Sequence, residues 1–128
     1  MRSLEDLLTG EVAALLRAGA TPRAVRLTVR EAVIERLVTA PAGPREVSET
    51  AAAAARAACR LVRQLGAPED VVEAVCRAAL EAVRGHGGES ARWLNEATSA
   101  VFEALDELAR ERAGEAEWRW LARRLERW

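Results

Sequence analysis

Few side chains in this chain are able to do chemistry, and their spacing narrows what that chemistry can be. Cys59 and Cys76 stand almost symmetrically about the turn signal Gly66-Ala67-Pro68. If antiparallel helices flank that turn, both thiols lie at about the same height, roughly 12 Å along the axis at ~1.5 Å per residue. Two readings follow. The pair forms a reversible disulfide, which needs Cα atoms within about 7 Å. Or both are small buried hydrophobes, the usual state of free cysteine.

Arg23, Arg26 and Arg30 fall one helical turn apart. On a helix they occupy an arc between two apolar groups, Val25, Val29, Val33 and Leu37 to one side and Leu27, Ile34 and Val38 to the other. Such a row can clasp an anion or an acidic partner helix. It can also lay its stems over the bundle edge with the charged heads in water. A helix that is apolar on more than one side calls for more than one neighbour, and an oligomer interface is one way to supply it.

Catalytic and metal chemistry find little to work with. The single histidine, His86, lies in the stretch Gly85-His86-Gly87-Gly88. A di-iron bundle needs a Glu-x-x-His motif from each of two helices, and two cysteines with one histidine do not complete a structural zinc site. The glycine stretch follows a helix instead of a strand and does not match a phosphate loop. With no orienting partner for His86, no nucleophile triad can be assembled. Glu103, Asp106, Glu107 and Glu111 keep the spacing of a solvated helix face, with Arg110 among them. No catalytic residue, metal or cofactor is expected, and an enzyme of unknown reaction stands only as a third reading.

The stretch "EAEWRWLARRLERW", Glu115 to Trp128, holds three of the four tryptophans and four arginines. At helical spacing Trp118, Leu121, Leu125 and Trp128 form one apolar stripe. Trp120 falls off it, beside Arg119, Arg123, Arg124 and Arg127, and the four arginines against Glu126 give residues 118–128 a charge of +3. The candidate partner-binding set is Trp118, Trp120, Leu121, Arg124, Leu125 and Trp128. The segment either closes the core as a last helix or docks on another subunit or protein. Trp and Arg dominate interface hot spots, and amphipathic helices commonly bind in grooves. An anionic membrane surface and nucleic-acid stacking rank behind these two.

The elements that must position these groups are helices. Ser3 and Asp6 resemble a capping box ahead of Leu4, Leu7, Leu8, Val12, Leu15 and Leu16. Gly10 weakens or breaks that helix, and Gly19 is a natural stop. Thr21-Pro22 is an N-cap followed by proline at the first helical position, and the second helix runs to about Thr39. Residues 39–44, "TAPAGP", make a loop. From Pro44 a third helix carries Val47, Ala51, Ala54, Ala58, Leu61 and Leu65 as a heptad seam. Mostly alanine, this seam lets a neighbour approach closely. The fourth helix carries Val72, Cys76, Ala79 and Val83. The fifth, capped by Ser90, turns Leu94, Thr98, Val101, Leu105 and Leu108 inward and reaches Ala113, where Gly114 sets off the terminal segment. No stretch alternates as a strand does.

The expected fold is all-α, an antiparallel up-and-down bundle of about five helices plus a short C-terminal amphipathic helix (114–128). The 128 residues suit one domain and bury roughly two thirds of their unfolded surface without staples. A net charge of −1 argues against general nucleic-acid binding. All nineteen basic residues are arginine, the mark of a GC-rich, bacterial genome. With no apolar run long enough for a span and no signal-peptide pattern, a cytoplasmic location is expected. The leading functional expectation is a non-enzymatic, self-associating assembly or protein-interaction module. The alternative is an anion- or small-molecule-binding regulatory bundle using Arg23, Arg26 and Arg30.

Overall fold

The computed structural model describes residues 3–39, 44–85 and 90–111. Within them are five helices and no strand: α1 (Leu4–Arg17), α2 (Pro22–Thr39), α3 (Pro44–Leu65), α4 (Glu69–Gly85) and α5 (Ser90–Glu111). The helix ends follow local chemistry. Ser3 Oγ accepts the Asp6 N–H at 3.2 Å, satisfying one orphan donor of the first turn of α1. Thr21 does the same for Ala24 at the start of α2. Gly19 takes φ +76°, and the Ala20 and Gly19 N–H groups bond back to Leu15 and Leu16 carbonyls. That is the Schellman arrangement, and the left-handed residue in it is where glycine avoids a Cβ clash. Gly66 ends α3 in the same region, φ +62°.

Gly10 does not break α1, which is continuous through it. An interior glycine costs about 1 kcal/mol against alanine. Leu8 and Val12, both fully buried, flank it and offset that cost.

The helix contacts arrange the bundle in three layers. α3 and α4 pack together in the middle, α1 and α2 cover one side, and α5 covers the other; among the described residues α5 touches neither α1 nor α2. The most extensive pairings join α3 to α5 and α2 to α4, so the closest partners are one helix apart in the chain. α3 contacts all four other helices. Its alanines explain how. Ala51, Ala54, Ala55, Ala57 and Ala58 are all buried to 0% exposure, so the neighbours sit close on several sides of α3. The burial is broader than the expected seam, which is met from Val47 to Leu61. It fails at Leu65, which is 45% exposed in the turn where Gly66 ends the helix. In α4, eleven of seventeen residues are buried, which only a helix covered on more than one side can show. α5 buries Ala97, Val101, Leu105 and Leu108, while Leu94 and Thr98 are half-buried.

Charge joins α1 to the middle layer. Glu5 accepts from Arg56 at 2.7 Å and from Arg60 at 3.3 Å, and Arg60 donates to Asp6 at 2.6 Å. The hydrogen bond to Asp6 is the main cause that holds the Arg60 guanidinium above its ordinary pKa. These pairs are partly exposed and add little energy; their effect is to set where α1 meets α3.

The close approach at α3 makes a clear demand on side-chain size. Ala58→Leu is expected to destabilise the fold by about 1–3 kcal/mol through overpacking. Leu65→Ala should change stability by less than about 0.5 kcal/mol. Urea unfolding of the two variants checks both.

Candidate functional site

α2 gathers most of the candidate features, because its sides face different things. One side carries Val25, Val29, Val33 and Leu37 into the core. The opposite side leaves Leu27 50%, Ile34 38% and Val38 68% exposed. The two remaining flanks border α4 and α1.

On the α4 flank lie the three arginines picked out by their spacing. Arg26 is ion-paired with Glu81 of α4, and Arg30 Nη1 stands 3.7 Å from the other carboxylate oxygen. The Glu81 side chain is mostly buried, while both guanidinium groups stay about half exposed. One turn earlier on α4, Arg77 Nε lies 3.0 Å from Glu73. Neither Arg77 Nε nor Glu81 Oε1, both buried, makes an aligned hydrogen bond, so these contacts act through charge more than direction. Arg23 joins Arg26, Arg30, Arg77, Asp70, Glu73 and Glu81 around a recess of about 600 Å³. Four cations against three carboxylates leave that recess close to neutral. Arg26 and Arg30 of the row thus face Glu81 of α4 in the same chain, while Arg23 lines the recess beside them.

On the α1 flank runs a larger groove of about 970 Å³. Leu4, Leu7, Ala14 and Leu15 of α1 and Thr28, Ala32 and Thr39 of α2 line it, with Glu11, Glu31, Glu35 and Arg36 at its edges. Glu11, Glu31 and Glu35 are exposed, and among the described residues their carboxylates form no ion pair. The apolar spacing of α1 counted Leu7 and Leu15 toward the core face. Both are only half-buried and line the groove instead. No pattern within α1 separates the two roles, since it depends on where α2 lies.

The cysteines are brought near each other, and both are buried free thiols. Cys59 Sγ donates to the Ala104 carbonyl of α5 at 3.6 Å. Burial pushes the Cys76 thiol far above its ordinary range, with the proximity of Cys59 and then of Glu73 adding to the effect. Thiol exchange needs a thiolate, and burial disfavours that form at Cys76.

The terminal candidates Trp118, Trp120, Leu121, Arg124, Leu125 and Trp128 lie outside the described residues, as does His86. Among the described residues no group of three His, Cys, Asp or Glu is placed to hold a metal ion. No helix there is long and apolar enough to cross a membrane. Comparison with protein-family models, with curated proteins and with solved structures finds no match to this chain.

Two measurements follow from this geometry. Glu81→Gln removes the charge facing Arg26 and Arg30 and should lower stability by up to about 1 kcal/mol, the half-exposed arginines being well solvated. Glu103→Gln, at an exposed position of α5 with no ion pair among the described residues, should stay within about 0.5 kcal/mol of the parent; denaturant midpoints compare them. For Cys76, the unfolded thiol ionises near its ordinary value of 9.0 while the native one stays protonated. Above that pH the unfolded state binds fewer protons than the native state, so stability falls as pH rises. A loss of about 1–2 kcal/mol between pH 8 and pH 10 is expected from this group, and Cys76→Ala should flatten that part of the stability–pH curve.

Proposed function

We propose that this protein is a non-enzymatic assembly or protein-interaction module that works by self-association. In this reading its helices run antiparallel in an up-and-down bundle, and residues 114–128 form an amphipathic docking element. α2 and Trp118, Trp120, Leu121, Arg124, Leu125 and Trp128 make the interface, and the setting is the cytoplasm. The observation that carries the proposal is the outer side of α2. Leu27, Ile34 and Val38 lie on one side of a helix whose opposite side is fully packed, so α2 has an apolar surface without a neighbour among the described residues. A second copy or another protein would cover it.

The anion-binding alternative draws less support. Glu81 already supplies a carboxylate to Arg26 and Arg30, so an incoming anion must displace a partner tethered in the same chain.

Light scattering behind size exclusion, on the full chain and on a chain stopped after Ala113, is the test. The full chain should be a dimer or larger at micromolar concentration. The shortened chain should keep its helical circular dichroism and run as a monomer. Ile34→Glu in the full chain should weaken association at least about tenfold, the equivalent of ~1.4 kcal/mol. A full chain that stays monomeric at 100-fold higher concentration would sink the proposal.

A further inference from the structure

We propose that the acid-edged groove between α1 and α2 is the receptor for residues 118–128 of a second copy of this chain. The inference rests on the self-association reading above and names the two surfaces that meet.

Charge and pattern carry it. The groove has an apolar floor and three exposed carboxylates, Glu11, Glu31 and Glu35, that have no ion pair among the described residues. Arg36 is the one cation beside them in the lining, so the groove carries a net negative charge. Residues 118–128 carry +3. An apolar surface ringed by unsatisfied charge of one sign selects an apolar segment of the other sign.

The order of the bands matches as well. Moving round α2 at about 100° per residue, the groove residues Thr28, Ala32 and Thr39 come first. Glu35 and Glu31 follow, and then the exposed Val38, Leu27 and Ile34. The surface therefore runs from the groove, where these small side chains stand beside Leu4, Leu7 and Leu15 of α1, through an acidic band to an apolar one. Residues 118–128 at the same helical spacing give Trp118, Leu121, Leu125 and Trp128, then Arg124, then Trp120. That order is apolar, basic, aromatic. Laid together, the stripe fills the groove, Arg124 meets Glu31 and Glu35, and Trp120 covers the outer apolar side of α2. The match gives a place to both features that a simple bundle leaves over, the off-stripe Trp120 and the exposed Leu27, Ile34 and Val38.

The occupant comes from a second copy because of where α5 lies. α5 touches α3 and α4 and, among the described residues, neither α1 nor α2. Six residues separate Glu111 from Trp118, a reach of at most about 25 Å. Within one copy most of that reach is used up by the two interlayer spacings, about 8–10 Å each, between the α5 layer and the α1–α2 layer, leaving little to place the segment along the groove. Exchange between two copies has no such limit. It is also reciprocal, so each copy gives one segment and receives one, and the assembly closes as a two-fold dimer. Tryptophans bury about 150–250 Å² each, so two exchanged segments are on the scale of a stable interface.

A charge exchange in the full chain tests this. One variant reverses the groove (Glu11→Arg, Glu31→Arg, Glu35→Arg). The other reverses the segment (Arg123→Glu, Arg124→Glu, Arg127→Glu). All three groove positions are exposed, and circular dichroism confirms that each variant is folded. Each alone should dissociate at least about tenfold more readily than the parent chain. An equimolar mixture should regain the parent's affinity as a heterodimer, because each segment then meets a groove of opposite charge. If the parent chain dimerises but the groove variant dimerises equally well, or the mixture stays apart, the groove is not the receptor, while self-association survives. If the parent chain is a monomer, both this inference and the reading beneath it fall.

Discussion

The close contact of alanine faces in the middle layer is the constraint on which the rest of this bundle depends. α3 meets four other helices because the side chains on its crowded sides are little more than methyl groups. A Leu-rich α3 would hold its neighbours at the ordinary 8–10 Å separation, with fewer of them in reach. Small side chains contribute little apolar area apiece, so the stability of this layer comes from the number of contacts and from close packing. It is a design with little tolerance for added volume and considerable tolerance for change at the outer helices.

That middle layer also fixes what α2 can do. α4 takes one flank of α2 and supplies Glu81 to its arginines, and the core takes the valine stripe. α1 stands off enough to leave a groove. The outer side, with Leu27, Ile34 and Val38, is what remains. The exposed apolar surface and the carboxylates of Glu11, Glu31 and Glu35, which have no ion pair among the described residues, therefore share one origin. α2 is a helix with more apolar sides than the other described helices cover.

The buried polar groups show the same economy. Cys59 and Cys76 fill space between helices where larger side chains would force them apart, and burial keeps the Cys76 thiol protonated. Buried Thr9 and half-buried Thr98 return their hydroxyls to carbonyls one turn earlier, Glu5 and Leu94, so both satisfy themselves within their own helix. The interhelical ion pairs lie at the margins, where water still reaches the arginines.

Much of the secondary structure could be read directly from the chain, since each signal acts within a few residues. Ser3 and Thr21 cap their helices by bonds three residues long, Pro22 starts α2 where no N–H is needed, and Gly19 and Gly66 supply the left-handed turn that ends a helix. The valine stripe of α2 and the alanine run of α3 likewise follow from a period of 3.6 residues. Which helices pair, and therefore what each exposed group faces, was decided only in the tertiary structure. The arginine row was visible in sequence, but that Glu81 faces Arg26 and Arg30 was not, because the row and Glu81 lie some fifty residues apart and no local rule links them. The groove was hidden for the same reason. Leu7 and Leu15 carry the same apolar signal as Leu8 and Val12, and the difference lies in the gap to α2. A helix's own sequence determines which of its sides avoid water. What covers those sides depends on how the helices fit together.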